Sequence, residues 1–149
     1  VQAMRSTPQI AHRLERKKHG SGAIYLDDAY NSNPQGFANA LDLLDSLKNP
    51  DGRRILVTPG MAELGAKHDE AHSEIGRLAA AKTDVTIVIK PERIPSLLDA
   101  FRSAGTSAEL TEFEQFSEAQ AWLNAELGPR DVVLIENDLP DLYERVFVT

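Results

Sequence analysis

Ala23-Ile24-Tyr25-Leu26-Asp27-Asp28-Ala29-Tyr30-Asn31-Ser32-Asn33-Pro34, with the apolar pattern from Gly36 to Leu47 behind it, decides how this chain folds. An apolar run that ends in two carboxylates reads as a strand, here Ala23 to Asp27. Phe37, Ala40, Leu41, Leu44 and Leu47 then recur at the spacing of one helix face, over Pro34 to Leu47. Pro34 suits the first helical position, where a missing N–H is harmless, and Asn33 suits the N-cap. The stretch therefore predicts a strand, a short polar loop and a helix. In open α/β sheets the loops at the carboxyl ends of strands converge on the crevice where ligands bind. Taken alone, the same residues also make an ordinary capped turn between a strand and a helix.

Working outward, Ile10 to Arg16 predicts a short strand and His19-Gly20-Ser21-Gly22 a turn. No crossover helix separates that strand from the next, so it belongs antiparallel at an edge. Downstream, Asn49-Pro50-Asp51-Gly52 is a cluster of turn residues, and Arg54 to Thr58 a buried strand ended by Pro59-Gly60. A helix is expected from about Lys67 to Ala81, a β-branched strand at Val85 to Ile89 and a helix at Ile94 to Ser103. Glu109-Leu110 suggests a short strand. Ser117-Glu118-Ala119-Gln120 has the pattern of a capping box opening a helix to Leu127. Asp131 to Ile135 is a last apolar strand and Asp141 to Phe147 a terminal helix. Strands alternating with helices indicate βαβ units and a parallel sheet. The fold class expected is a three-layer, Rossmann-like α/β sandwich, mostly parallel with an antiparallel edge strand. The domain runs over residues 10–149, with 1–9 a linker or a remnant of a preceding domain.

Composition narrows the function. The 149 residues can bury a substantial core, and no apolar run approaches the length of a membrane span. The opening Val1-Gln2-Ala3-Met4-Arg5 lacks the apolar segment of a signal peptide, and the absence of an initiator methionine suggests a piece of a longer protein. The chain has no cysteine, which excludes disulfides and thiolate chemistry and suits a cytoplasmic setting. A formal charge of -7 argues against a nucleic-acid partner. His12, Arg13, Arg16, Lys17, Lys18 and His19 nevertheless form a local basic segment, readable as a solvated strand or as an anion site.

Among motifs, neither GxxxxGK[ST] nor GxGxxG occurs, so the chain lacks the usual grip on a nucleoside triphosphate. His68 and His72 stand one helical turn apart, a spacing able to chelate zinc, but the segment is not HExxH and no metal ligand is assigned. Asp27-Asp28 with Lys90-Pro91 partly echoes bacterial receiver domains, whose intermediate aspartate is replaced here by Val57-Thr58-Pro59.

Three ordered segments carry a resemblance. Asp27-Asp28-Ala29-Tyr30-Asn31-Ser32-Asn33-Pro34 resembles the DDSYNANP motif of the ATP-dependent Mur ligases, in the branch that adds D-alanyl-D-alanine to a UDP-N-acetylmuramoyl tripeptide. Ala11-His12-Arg13-Leu14-Glu15 resembles the signature at the start of that family's C-terminal domain. Gly60-Met61-Ala62-Glu63-Leu64-Gly65, followed by His72-Ser73-Glu74-Ile75-Gly76, resembles its GDMxELG…HxxxG segment. The match is good over residues 10–90 and holds only in outline beyond.

The resemblance implies the third domain of a three-domain enzyme, inactive alone, whose preceding domains hold the UDP-sugar, the phosphate loop and most of the Mg2+ ligands. ATP, a UDP-N-acetylmuramoyl peptide and an amino acid or D-alanyl-D-alanine are the implied small-molecule substrates. It also implies roles for single residues. Arg13 is placed as the arginine that meets the transferring phosphoryl group, and Asp28 as the acceptor of ribose hydroxyls. Asn31 and Asn33 fall beside the nucleotide, and Tyr30 toward the incoming amino acid. Glu63 and His72 fall in a motif without an assigned role. Two departures stand out: Pro59-Gly60-Met61 lacks the family's aspartate, and Glu136-Asn137-Asp138-Leu139-Pro140-Asp141 is acidic where a KGSR-like segment is expected. The second points to a divergent ligase with another amine substrate as one alternative. A non-catalytic nucleotide- or partner-binding module is the other.

Overall fold

The computed structural model describes residues 15–28, 33–61 and 64–136. Six strands form one sheet: β1 (Glu15–Lys18), β2 (Ile24–Asp28), β3 (Arg54–Thr58), β4 (Val85–Ile89), β5 (Glu109–Phe113) and β6 (Val132–Glu136). Four α-helices connect them: α1 (Pro34–Ser46), α2 (His68–Lys82), α3 (Pro95–Ser103) and α4 (Phe116–Glu126). The strand order is β1-β2-β6-β3-β4-β5, antiparallel only between β1 and β2. This is the expected three-layer sandwich with its antiparallel edge.

The layers follow from strand alternation. Leu26, Leu56, Val88 and Leu134 face the cluster beneath α1, α2 and α3, while Tyr25, Ile55, Val57 and Val133 face the cluster beneath α4. β3, β4 and β6 are buried at every position, as parallel strands covered on both faces must be. Ion pairs close the amino ends of these strands. Arg54 reaches Asp84 and Asp45, and the Asp131 carboxylate accepts from Arg53 and from the Gly128 N–H. The amino end is thereby fixed, and the carboxyl ends of β2, β6 and β3 lie side by side at the other.

Several expected boundaries move. The first strand is Glu15–Lys18 rather than Ile10 to Arg16, residues 10–14 lying outside the described ones. β5 extends to Phe113, well past Leu110, because pairing with β4 continues to Ile89↔Phe113. The capping box expected at α4 is present two residues earlier than Ser117 to Gln120: the helix starts at Phe116 with Gln115 as N-cap, and Glu118 Oε1 accepts from the Gln115 and Glu114 N–H groups, each at 3.0 Å. The terminal helix expected at Asp141 to Phe147 falls outside the described residues.

Candidate functional site

β2 separates its two terminal carboxylates onto opposite faces. Asp27 lies on the α4 side with Tyr25, and its Oδ2 is 3.1 Å from Lys17 Nζ on β1. Asp28 follows Leu26 onto the α1 side and is 1% exposed. The first aspartate is thus tied into the edge of the sheet, leaving Asp28 as the one that faces the helices carrying the loop ends. Tyr25 beneath Asp27 stacks on the His19 ring at 5.5 Å, and burial pushes its phenol up to about 12.

The loop after β2 ends at Asn33, whose Oδ1 accepts the Gly36 N–H at 2.7 Å, with Pro34 at the first helical position. The cap expected from sequence is present, and it aims the first turn of α1 at the carboxyl end of the sheet. Arg13, Tyr30, Asn31 and Glu63 lie outside the described residues. β1 runs antiparallel to β2 and pairs Glu15 with Asp27.

Beyond β3, Thr58-Pro59-Gly60-Met61 forms a buried loop where the family's aspartate is missing. Thr58 Oγ1 accepts the Gly60 N–H at 2.9 Å. Gly60 has φ +91°, and a Cβ there would stand 2.6 Å from Ile94 and 3.0 Å from His72 Nε2, so the turn requires glycine. His72, fully buried, holds this loop: its Nδ1–H donates to the His68 carbonyl at 2.7 Å and its Nε2 accepts the Met61 N–H at 2.9 Å. The ring is therefore the neutral Nδ1–H tautomer, assigned from its partners. His68 turns its Nε2–H to the Arg93 carbonyl at 3.1 Å. The two-histidine spacing serves a hydrogen-bonded clasp, with both nitrogens of His72 occupied by protein.

Burial, reinforced by the nearby charges of His68 and Arg93, holds His72 below its ordinary pKa. The unfolded chain takes up that proton near pH 6.5, the folded chain only at lower pH, so His72 contributes its full stabilisation above about pH 6.5 and loses it as the pH falls. His72→Phe should cost about 2 kcal/mol by stranding the Met61 N–H, and should flatten the loss of stability between about pH 7 and about pH 5. Urea denaturation at the two pH values checks both; an unchanged pH slope would show that His72 is not the titrating group.

Lys90 has left-handed backbone, φ 55°, at the end of β4, with two strands, β6 and β3, between it and β2, so it does not face the acidic pair as a receiver domain would require. Of the basic segment, Lys17 pairs with Asp27, and His19 bonds Ser21 and Asn124, while Arg16 and Lys18 are exposed. His12, like Arg13, lies outside the described residues. A groove of about 700 Å³ opens between the start of α1 and the amino-terminal two-thirds of α2, lined by Pro34, Gln35, Leu64, Lys67 and Ile75 among others. Among the described residues no group of three His, Asp or Glu side chains is placed to hold a metal ion, and no helix is long and apolar enough to cross a membrane.

Glu136 was expected in an acidic loop facing a substrate carboxylate. It is instead the last residue of β6, fully buried and directly opposite Asp28. The signal for this was an apolar strand ending in a carboxylate, the same signal that marked β2.

Residues 12–136 match the family described as Mur ligase, glutamate ligase domain. The chain is 31% identical over 153 residues to the UDP-N-acetylmuramoyl-tripeptide--D-alanyl-D-alanine ligase of Mycobacterium bovis, covering 90% of this chain and 30% of that protein. The ligase of the same name from Mycobacterium tuberculosis matches to the same extent. Among solved structures, the MurF ligase of Thermotoga maritima in complex with ADP shares the fold with a TM-score of 0.69 at 24% identity, over 91% of this chain and 29% of that one. The chain thus spans about 30% of the length of the curated relatives it matches.

Proposed function

This chain belongs to the Mur ligase C-terminal domain family, and from that premise we propose that it serves an ATP-dependent peptide ligase of peptidoglycan precursor synthesis, most similar to the D-alanyl-D-alanine-adding enzymes. The domain comprises residues 10–149. It receives the incoming amino acid or dipeptide and closes over ATP held mainly by the preceding domains of the same polypeptide. The setting is cytoplasmic, where a UDP-N-acetylmuramoyl peptide and ATP are available.

The observation that carries the reading is the convergence at one end of the sheet. Asp28 and the Asn33-capped start of α1 both belong to that end. A short carboxylate at a strand mouth suits a vicinal diol, so Asp28 accepts the ribose hydroxyls, with Asn31 and Asn33 beside the nucleotide and Tyr30 toward the amine substrate. No phosphate loop exists in this sequence. The triphosphate and its Mg2+ are therefore assigned to the other domains, and the chain alone is expected to be inactive. His72 anchors the Met61 N–H, which supports a structural role for His72.

In the reaction such an enzyme performs, the substrate carboxylate attacks the γ-phosphorus of ATP, ADP leaves, and the amine displaces phosphate from the acyl phosphate. This domain's part is to position the amine and to bring a guanidinium against the phosphoryl oxygens.

Asp28→Asn in the full-length protein should weaken ADP binding about tenfold, because a charged acceptor of two hydroxyls becomes a neutral one. Calorimetric titration with ADP reads this directly. Unchanged affinity would end the ribose assignment.

A further inference from the structure

Glu136 and Asp28 are register partners on adjacent parallel strands, which lie about 4.8 Å apart. Both side chains fall on the α1 side, each two residues beyond a leucine of that cluster, Leu134 and Leu26. Glu136 is fully buried, and among the described residues neither Oε1 nor Oε2 meets a hydrogen-bond donor. A buried carboxylate without donors is costly, and a second carboxylate facing it adds repulsion. Burial first, and then the Asp28 carboxylate beside it, raises Glu136 well above the ordinary carboxylate range.

Among the described residues, the other elements packed on Glu136 bring no compensating charge. Asp27, with its partner Lys17, is on the opposite face. β3 presents the uncharged Thr58, and α1 presents Phe37, Ala40, Leu41 and Leu44. One proton resolves the arrangement. A carboxylic acid on one side donates to the carboxylate on the other, and the pair carries a single negative charge.

We propose that Glu136 carries a proton at neutral pH and donates it to Asp28, making it the positioning residue that fixes the Asp28 carboxylate at the mouth of the sheet. This rests on the reading of Asp28 as the ribose acceptor. The hydrogen bond occupies one Asp28 oxygen and orients the other, and it keeps a second negative charge away from bound phosphates. When the pH rises far enough to remove the proton, the two carboxylates repel and Asp28 loses its orientation.

The test uses the full-length protein labelled with 13C at glutamate Cδ, the Glu136 resonance being assigned by its loss in Glu136→Gln. It is expected in the protonated position at about pH 7, where ordinary glutamates are ionised. ADP affinity is then measured between about pH 6 and about pH 9. The wild type should lose affinity at the alkaline end, and Glu136→Ala should bind about tenfold more weakly throughout. Glu136→Gln, which keeps a donor toward Asp28 but has no proton to lose, should bind ADP without that alkaline loss. Because a raised folded-state pKa stabilises below the unfolded value and is lost as pH rises through the folded one, the glutamine variant should also lack the corresponding decline in stability.

A Glu136 resonance titrating in the ordinary carboxylate range overturns the proposal, whatever the nucleotide results. Glu136→Ala binding ADP like the wild type overturns the positioning role even if the proton is present. If Asp28→Asn leaves ADP affinity intact while Glu136 stays protonated, the ribose reading fails and the shared proton stands.

Discussion

Replacing Gly76 with valine is expected to destabilise this protein by at least about 3 kcal/mol, a large fraction of the 5–15 kcal/mol typical of a domain. Gly76 sits on α2 where it crosses α3, the most extensive helix pairing in the fold. A Cβ at this position would stand 2.4 Å from the Leu97 carbonyl oxygen and 3.0 Å from the Ala100 Cβ. Neither obstacle can rotate away: one is helix backbone, the other the first carbon of a side chain. The helices would have to separate, opening the cluster that includes Ile75, Ala79, Leu97 and Phe101. Gly76→Ala separates two effects, since alanine favours the helix by about 1 kcal/mol while the clash opposes it. A net loss for alanine and a larger one for valine, by urea denaturation, is the expected order. Wild-type stability in both variants would show that the helices part without penalty.

The same crossing shows what could and could not be read from residues alone. β3 and β4 are buried on both faces, so Arg54–Thr58 and Val85–Ile89 are continuous apolar runs bounded by turn residues, and both strands fall where the pattern placed them. β5 is an edge strand with exposed Glu109 and Glu112, so its composition hides its length. The cap of α1 was legible because Asn33 and Gly36 are neighbours in sequence. Gly76 was quoted in a motif without its reason, which lies on α3. The largest gap concerns Glu136: residues 28 and 136 become neighbours only because β6, last in sequence, inserts between β2 and β3. No local pattern encodes that insertion. His72 shows the converse, a spacing that suggested a metal and a fold that uses both nitrogens to hold Met61 in place.

The second large effect concerns catalysis. On the proposed role, Arg13→Ala in the full-length protein should lower turnover about a hundredfold or more, equivalent to about 2.7 kcal/mol of transition-state stabilisation, with ADP affinity and stability little changed. Arg13 itself lies outside the described residues, so its proposed role rests on the resemblance of Ala11-His12-Arg13-Leu14-Glu15 to the family's signature. Charge spreads over the phosphoryl oxygens during transfer, and a planar guanidinium can donate to two of them at once. Arg13→Lys keeps the charge but loses the fork, so its turnover should fall between those of alanine and wild type. Steady-state rates of ADP release with a UDP-N-acetylmuramoyl peptide and an amine substrate measure all three. A loss confined to KM would make Arg13 a binding group rather than a stabiliser of the transition state. Near-normal turnover in the alanine variant would remove it from the reaction, leaving Asp28 as the chain's proposed contribution to the nucleotide.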